Sequence, residues 1–336
     1  MDLVLLLGAH RTGSTALERV LARNEGALGE AGLTFWPQAE LRRDPAFNDA
    51  FALTRRAARK PAASKALEGL RARLAAQWQG AAEQGMRGVL LSEENMLGHM
   101  AANLRRGAFY PRAAARLRAY AALLPAAPRR IGLGIRSYAD YWISAYRYSL
   151  PRHDLAEFSL LRSALTAQKR GWCDLVTDIA TVFPEAELLV WPQEALGTAL
   201  PAVAARLTGY PTEAPALTVP ARRINAAPQA GDAALIHDLR RDTPGLKGAE
   251  LEAALASLRA ARTQATDTQD QEFTALQRRG FAHRYAEDLA EMADGHAGAQ
   301  LIASPPPAAP GDDAGSELDA AAARGMAWPV DERDAR

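Results

Sequence analysis

Gly8 is followed, after four intervening residues, by Gly13, Ser14 and Thr15, a spacing whose chemistry is the binding of oxyanions. Backbone N–H groups of a glycine-containing loop, together with the positive end of the helix that follows, bind tetrahedral anions. In nucleotide hydrolases a lysine follows the second glycine and reaches the β and γ phosphates, and the next hydroxyl binds Mg²⁺. Here Ser14 stands at the lysine position, and Arg11, inside the loop, supplies the nearby cation. A guanidinium forks onto paired oxygens, whereas an ammonium acts as a compact charge. Loop amides, two hydroxyls and one arginine suit an anion shorter than a triphosphate.

A second set of residues has the same character. Arg136 closes an apolar run, and Ser144 follows eight positions later with Asp140 between them and Tyr146 just beyond. An arginine at the end of a strand and a hydroxyl on the next helix supply the charge and the hydrogen bond that a second phosphate needs. For proton transfer the sequence offers Glu93, Glu94 and His99 after another apolar run. Adjacent strand residues face opposite ways, so Glu93 and Glu94 are not both expected in one site. The histidines at 10, 99, 153, 237, 283 and 296 show no metal-ligand spacing, and the single cysteine, Cys173, excludes an internal disulfide and a Cys-based metal cluster.

These residues require a scaffold that brings loop ends together. Asp2–Leu7 is a short, continuous apolar run closed by glycine, as in a strand buried on both faces of a parallel sheet. Similar runs end near Glu94, at Arg136 and at Pro192. Helical patterns lie between them, over Thr15–Arg23, Lys65–Gln79, Ala113–Leu124, Tyr138–Ser149 and Trp172–Phe183. The alternation predicts an α/β fold, a doubly wound parallel sheet flanked by helices, with ligands at the carboxyl ends of the strands. Helices over about 231–293 are expected to form a C-terminal helical cap, giving a single domain over 1–303. The proline-, alanine- and acid-rich tail 304–336 reads as disordered.

Arg11-Thr12-Gly13-Ser14-Thr15 and the Arg136/Ser144 pair together resemble the P-loop-fold sulfotransferases that use 3′-phosphoadenosine 5′-phosphosulfate, PAPS, as sulfuryl donor. The resemblance implies a 5′-phosphosulfate loop at Arg11, Thr12, Gly13, Ser14 and Thr15 and a 3′-phosphate site at Arg136 and Ser144. It also implies a catalytic base near the end of the second strand of the pattern, where the spacing seen in bacterial members favours Glu94. Arg11 is the candidate for stabilising the leaving oxygen. Two positions depart from the family pattern: Tyr138 stands where a proline is common, and Arg11 where lysine is frequent. Weaker similarities extend to Glu194, to Arg222, Arg223 and Asn225, and to Gln277–Gly280.

The expected function is sulfuryl transfer from PAPS, without a metal, to a hydroxyl or amine of a small molecule or glycan. A P-loop kinase and a non-catalytic nucleotide-binding module are the alternatives. Forty basic against 39 acidic residues leave a formal charge of +1, so no global field points to nucleic acid or an anionic membrane. No run approaches the ~20 apolar residues of a membrane-spanning helix, and Leu3–Leu7 is too short for a signal peptide. The chain reads as a cytoplasmic protein, and its arginine and alanine bias suggests a GC-rich bacterial coding sequence.

Overall fold

The computed structural model describes residues 1–209, 231–261 and 272–303, all within one compact unit. Six strands form the sheet: β1 (Asp2–Leu6), β2 (Leu33–Trp36), β3 (Gly88–Ser92), β4 (Pro128–Ile135), β5 (Glu187–Pro192) and β6 (Ala299–Leu301). Their order is β2-β3-β1-β4-β5-β6, and every neighbouring pair is parallel. The fold is therefore α/β with an all-parallel sheet, and all carboxyl ends lie along one edge.

The continuous apolar runs are explained by burial on both faces. Leu3, Leu5, Val89, Leu91, Ile131 and Leu133 point into one core, while Val4, Leu6 and Leu90 point into the other, as the two-residue period of a strand requires. The first core is closed by helices Pro61–Glu83, Ala113–Ala121, Tyr138–Ser149, Trp172–Val182 and Ala275–Ala293. The second is closed by Ser14–Arg23 and Leu196–Thr208.

The four strands expected from the sequence are present, and two more stand at the edges. β2 has four residues and β6 three, too short for a period to show. The C-terminal helices pack on the α/β core. Helix Ala275–Ala293 packs on Tyr138–Ser149 and Trp172–Val182 and then hands the chain to β6, which pairs with β5. Leu235, Ile236, Leu251 and Leu255, from helices Asp232–Asp242 and Gly248–Ala261, join the same core. These helices extend one layer of the fold. Arg222, Arg223, Asn225 and the tail 304–336 lie outside the described residues. Among the described residues, no helix is long and apolar enough to cross a membrane.

Candidate functional site

The loop after β1 is tight, and its two glycines make it so. Gly13, the N-cap of helix Ser14–Arg23, has φ 89° and ψ 7°, and a Cβ there would lie 2.4 Å from Leu196 Cδ2. At Gly8, φ 36°, a Cβ would lie 2.6 Å from Ser14 Cβ. The four-residue spacing thus brings the strand end against the helix start. That helix has no acid in its own first turn and no side chain capping it, so its first N–H groups and the positive end they form face the loop side. Thr12 is buried and its Oγ1 donates to the carbonyl of Ala9 at 2.5 Å. It braces the loop from within and does not line the cavity.

Two arginines meet over this loop. Arg11 has φ 64°, in the left-handed region that ordinary residues rarely occupy. Arg136, at the end of β4, donates from Nη1 to the Arg11 carbonyl at 3.1 Å. The Arg11 side chain turns to helix Tyr138–Ser149: Nε donates to Ser144 Oγ at 2.9 Å, and Cζ lies 4.6 Å from the Tyr148 ring centroid. Burial lowers the Arg11 pKa, opposed by Tyr148 and Glu94 and reinforced by Arg136 and Arg152. Ser144 and Tyr148 are one helical turn apart, which lets one guanidinium touch both. Arg136 Nε is buried and has no hydrogen-bond partner among the described residues. Its carbonyl accepts from Trp172 Nε1 at 2.8 Å, which fixes the strand end.

The two glutamates separate just past the end of β3, where Glu93 is extended and Glu94 opens a short 3₁₀ turn, Glu94–Met96. Glu93, 1% exposed, receives Arg42 on both oxygens, Nε at 2.8 Å and Nη2 at 2.6 Å, and also accepts from the Asn95 N–H at 2.7 Å. Glu94 faces the loop, where its Oε2 accepts from Ser14 Oγ at 3.1 Å. Arg42 Nη2 is 3.7 Å and His10 Nε2 3.9 Å from the other Glu94 oxygen. His10 itself faces inward, with Nδ1 2.9 Å from Tyr110 Oη. The Asn95 amide is best oriented with its nitrogen toward His10 Nε2 and His99 Nδ1, at 3.1 and 3.0 Å, and its oxygen toward Arg42. Partial burial, with Arg116, His10 and Arg42 nearby, depresses the His99 pKa to about 4, although the residue is exposed at the surface.

The result is a cavity of about 170 Å³ lined by Arg11, Gly13, Ser14, Thr15, Glu94 and Arg136, with Ala16, Met100, Tyr148 and Gln193 completing its wall. Six of the eight residues singled out from the sequence meet there. Thr12 and Ser144 instead support the residues that do. Tyr148, Arg42 and Gln193 carried no motif of their own. Tyr148 was open to inference from its place four residues after Ser144, whereas Arg42 comes from an irregular stretch without periodic signal.

The weaker candidates have structural partners. Glu194 accepts from the Ser137 N–H at 2.9 Å and from Tyr285 Oη at 3.0 Å, fixing the start of helix Tyr138–Ser149. Tyr146 turns away, toward His237 Nε2 at 2.7 Å. Gln277 shares a reciprocal cap with Thr274, and Arg278 and Arg279 are exposed. His153 is an exposed residue beyond that helix, its pKa lowered by partial burial and by Arg105, Arg152 and Arg240. No protein-family model, curated protein or solved structure matches the chain significantly.

Proposed function

We propose that this cavity binds the phosphosulfate end of PAPS and that the protein transfers its sulfuryl group to a hydroxyl or amine acceptor. The observation that carries the reading is the convergence of Arg11 and Arg136 with a helix N-terminus that no side chain caps, Arg136 keeping a buried Nε without a hydrogen-bond partner among the described residues. A buried, unsatisfied donor of this kind is costly unless a ligand completes it. At about 170 Å³ the cavity is smaller than a typical ligand pocket, which suits the anionic end of a nucleotide and not the whole molecule.

In the proposed reaction the acceptor oxygen forms a bond to sulfur while the bond from sulfur to the bridging oxygen breaks, and the electron pair leaves on that oxygen. Arg11, Ser14 and the loop amides stabilise the departing charge, the effect that dominates related phosphoryl transfers. Glu94, on the facing wall, takes the acceptor proton. Its hydrogen bond from Ser14 links the base to the anion loop. In ATP-using enzymes the hydroxyl one place later in the loop, here Thr15, holds Mg²⁺, so the kinase reading makes a distinct prediction of Mg²⁺-dependent ATP binding.

The test is release of adenosine 3′,5′-bisphosphate from PAPS in the presence of a panel of hydroxyl and amine acceptors, with sulfated product followed by mass. Acceptor-dependent release that Glu94→Gln slows supports sulfuryl transfer. Tight bisphosphate binding with no release on any acceptor points to a non-catalytic module.

A further inference from the structure

Away from that cavity, Cys173, Glu291 and His296 bring a thiol, a carboxylate oxygen and an imidazole nitrogen within 4.8 Å of one another. They come from three separate pieces of the fold. Cys173 lies in the first turn of helix Trp172–Val182, Glu291 in the last turn of Ala275–Ala293, and His296 in the turn leading to β6.

The hydrogen bonds decide the state of the imidazole. Thr177 Oγ1 donates its only proton to the Cys173 carbonyl at 2.9 Å. It therefore has none to give His296 Nε2, which lies 2.9 Å from it and 3.2 Å from the same carbonyl. Nε2 must carry the hydrogen. In the neutral ring the bare Nδ1 then faces Glu291 Oε2 at 3.4 Å. A lone pair set against a carboxylate is repulsive unless a proton or a cation lies between them. The Cys173 thiol adjoins the same point and is 9% exposed.

We infer that Cys173, Glu291 and His296 form a site for a single zinc ion. Thiolate, imidazole and carboxylate are the ligand types zinc takes, at about 2.3, 2.0 and 2.0–2.2 Å, with water as the fourth ligand. Nε2–H of His296, held by the Cys173 carbonyl and Thr177, is the outer hydrogen bond that metal-bound histidines make. Binding releases the thiol proton to solvent as the S–Zn bond forms. The ion ties helix Trp172–Val182 to the segment that ends the sheet, so it stabilises the fold and takes no part in the proposed transfer chemistry.

The test is titration of the chelator-treated full chain with Zn²⁺ against a chromophoric indicator, repeated with Co²⁺ as spectroscopic probe. One equivalent of Zn²⁺ should bind, and Co²⁺ should show thiolate charge-transfer absorption that Cys173→Ser abolishes. Thr177→Val, which leaves all three ligands in place, should weaken Zn²⁺ by about 10-fold or more, the usual effect of losing an outer partner. Failure to bind one equivalent, or binding whose Co²⁺ spectrum is unchanged in a folded Cys173→Ser variant, overturns the site and leaves the His296–Glu291 contact as a simple ion pair of the protonated ring.

Discussion

Arg11 and Ser144, 133 positions apart in sequence, meet at 2.9 Å, the guanidinium Nε donating to the hydroxyl oxygen. The hydroxyl assigned by resemblance to a 3′-phosphate thus holds, in this structure, the arginine assigned to the 5′ side. Ser144 is buried and reaches the cavity only through Arg11. The loop after β1 and helix Tyr138–Ser149 are therefore coupled.

Ser144→Ala removes that anchor without adding bulk. A hydrogen bond to a charged group contributes ~1.5–3 kcal/mol, so bisphosphate affinity should fall about 10-fold or more while the melting temperature changes little. Calorimetry alongside thermal unfolding checks this. Unchanged affinity would show that Arg11 needs no support from the helix.

Glu93 and Glu94 should respond oppositely to the same change. Glu93→Gln breaks a buried bidentate pair with Arg42 and should destabilise the protein by on the order of 2 kcal/mol, less than a fully buried pair because Arg42 is partly exposed. Glu94→Gln should leave stability nearly unchanged and slow turnover by ~10²- to 10⁴-fold. Urea denaturation and product formation separate the two roles.

The two loop glycines make a steric prediction. Gly13→Ala forces a Cβ onto Leu196 at a left-handed φ and should lower the melting temperature and abolish bisphosphate binding. Gly26→Ala is its control. Gly26 lies in helix Glu25–Glu30 and a Cβ there meets nothing within 4 Å, so alanine should be neutral or stabilising by up to about 1 kcal/mol.

His99 makes the acid limb of stability testable. Its pKa falls from 6.5 to about 4 on folding, so between those values the unfolded chain binds a proton that the native state does not. Stability contributed by this group is full above about 6.5 and is lost as the pH falls toward 4. His99→Gln should flatten that part of the profile. Equal losses in both proteins between pH 7 and pH 5 would count against it.

The fold was legible where apolar runs were long enough to carry a period. β1, β3, β4 and β5 follow from that pattern, as do helices Ser14–Arg23, Pro61–Glu83, Ala113–Ala121, Tyr138–Ser149 and Trp172–Val182, whereas shorter helices such as Met100–Arg106 and Phe158–Ala167 do not. β2 and β6 are short edge strands whose place depends on pairing with distant partners, Leu33 with Gly88 and Ala299 with Leu188. The site shows the same division. Arg11, Ser14, Thr15, Glu94 and Arg136 converge because each follows a strand end, opens a helix or lies in the loop between the two at one sheet edge. The inward turn of Thr12, the capture of Arg11 by Ser144 and the approach of Arg42 depend on side-chain packing that spacing alone does not encode.

The central claim is tested most directly by calorimetric titration of wild type and Arg136→Ala with adenosine 3′,5′-bisphosphate and, separately, with ATP and Mg²⁺. Micromolar, Mg²⁺-independent binding of the bisphosphate that weakens about 100-fold or more in Arg136→Ala is the expected result. Preference for ATP with Mg²⁺, indifferent to the loss of Arg136, would contradict it.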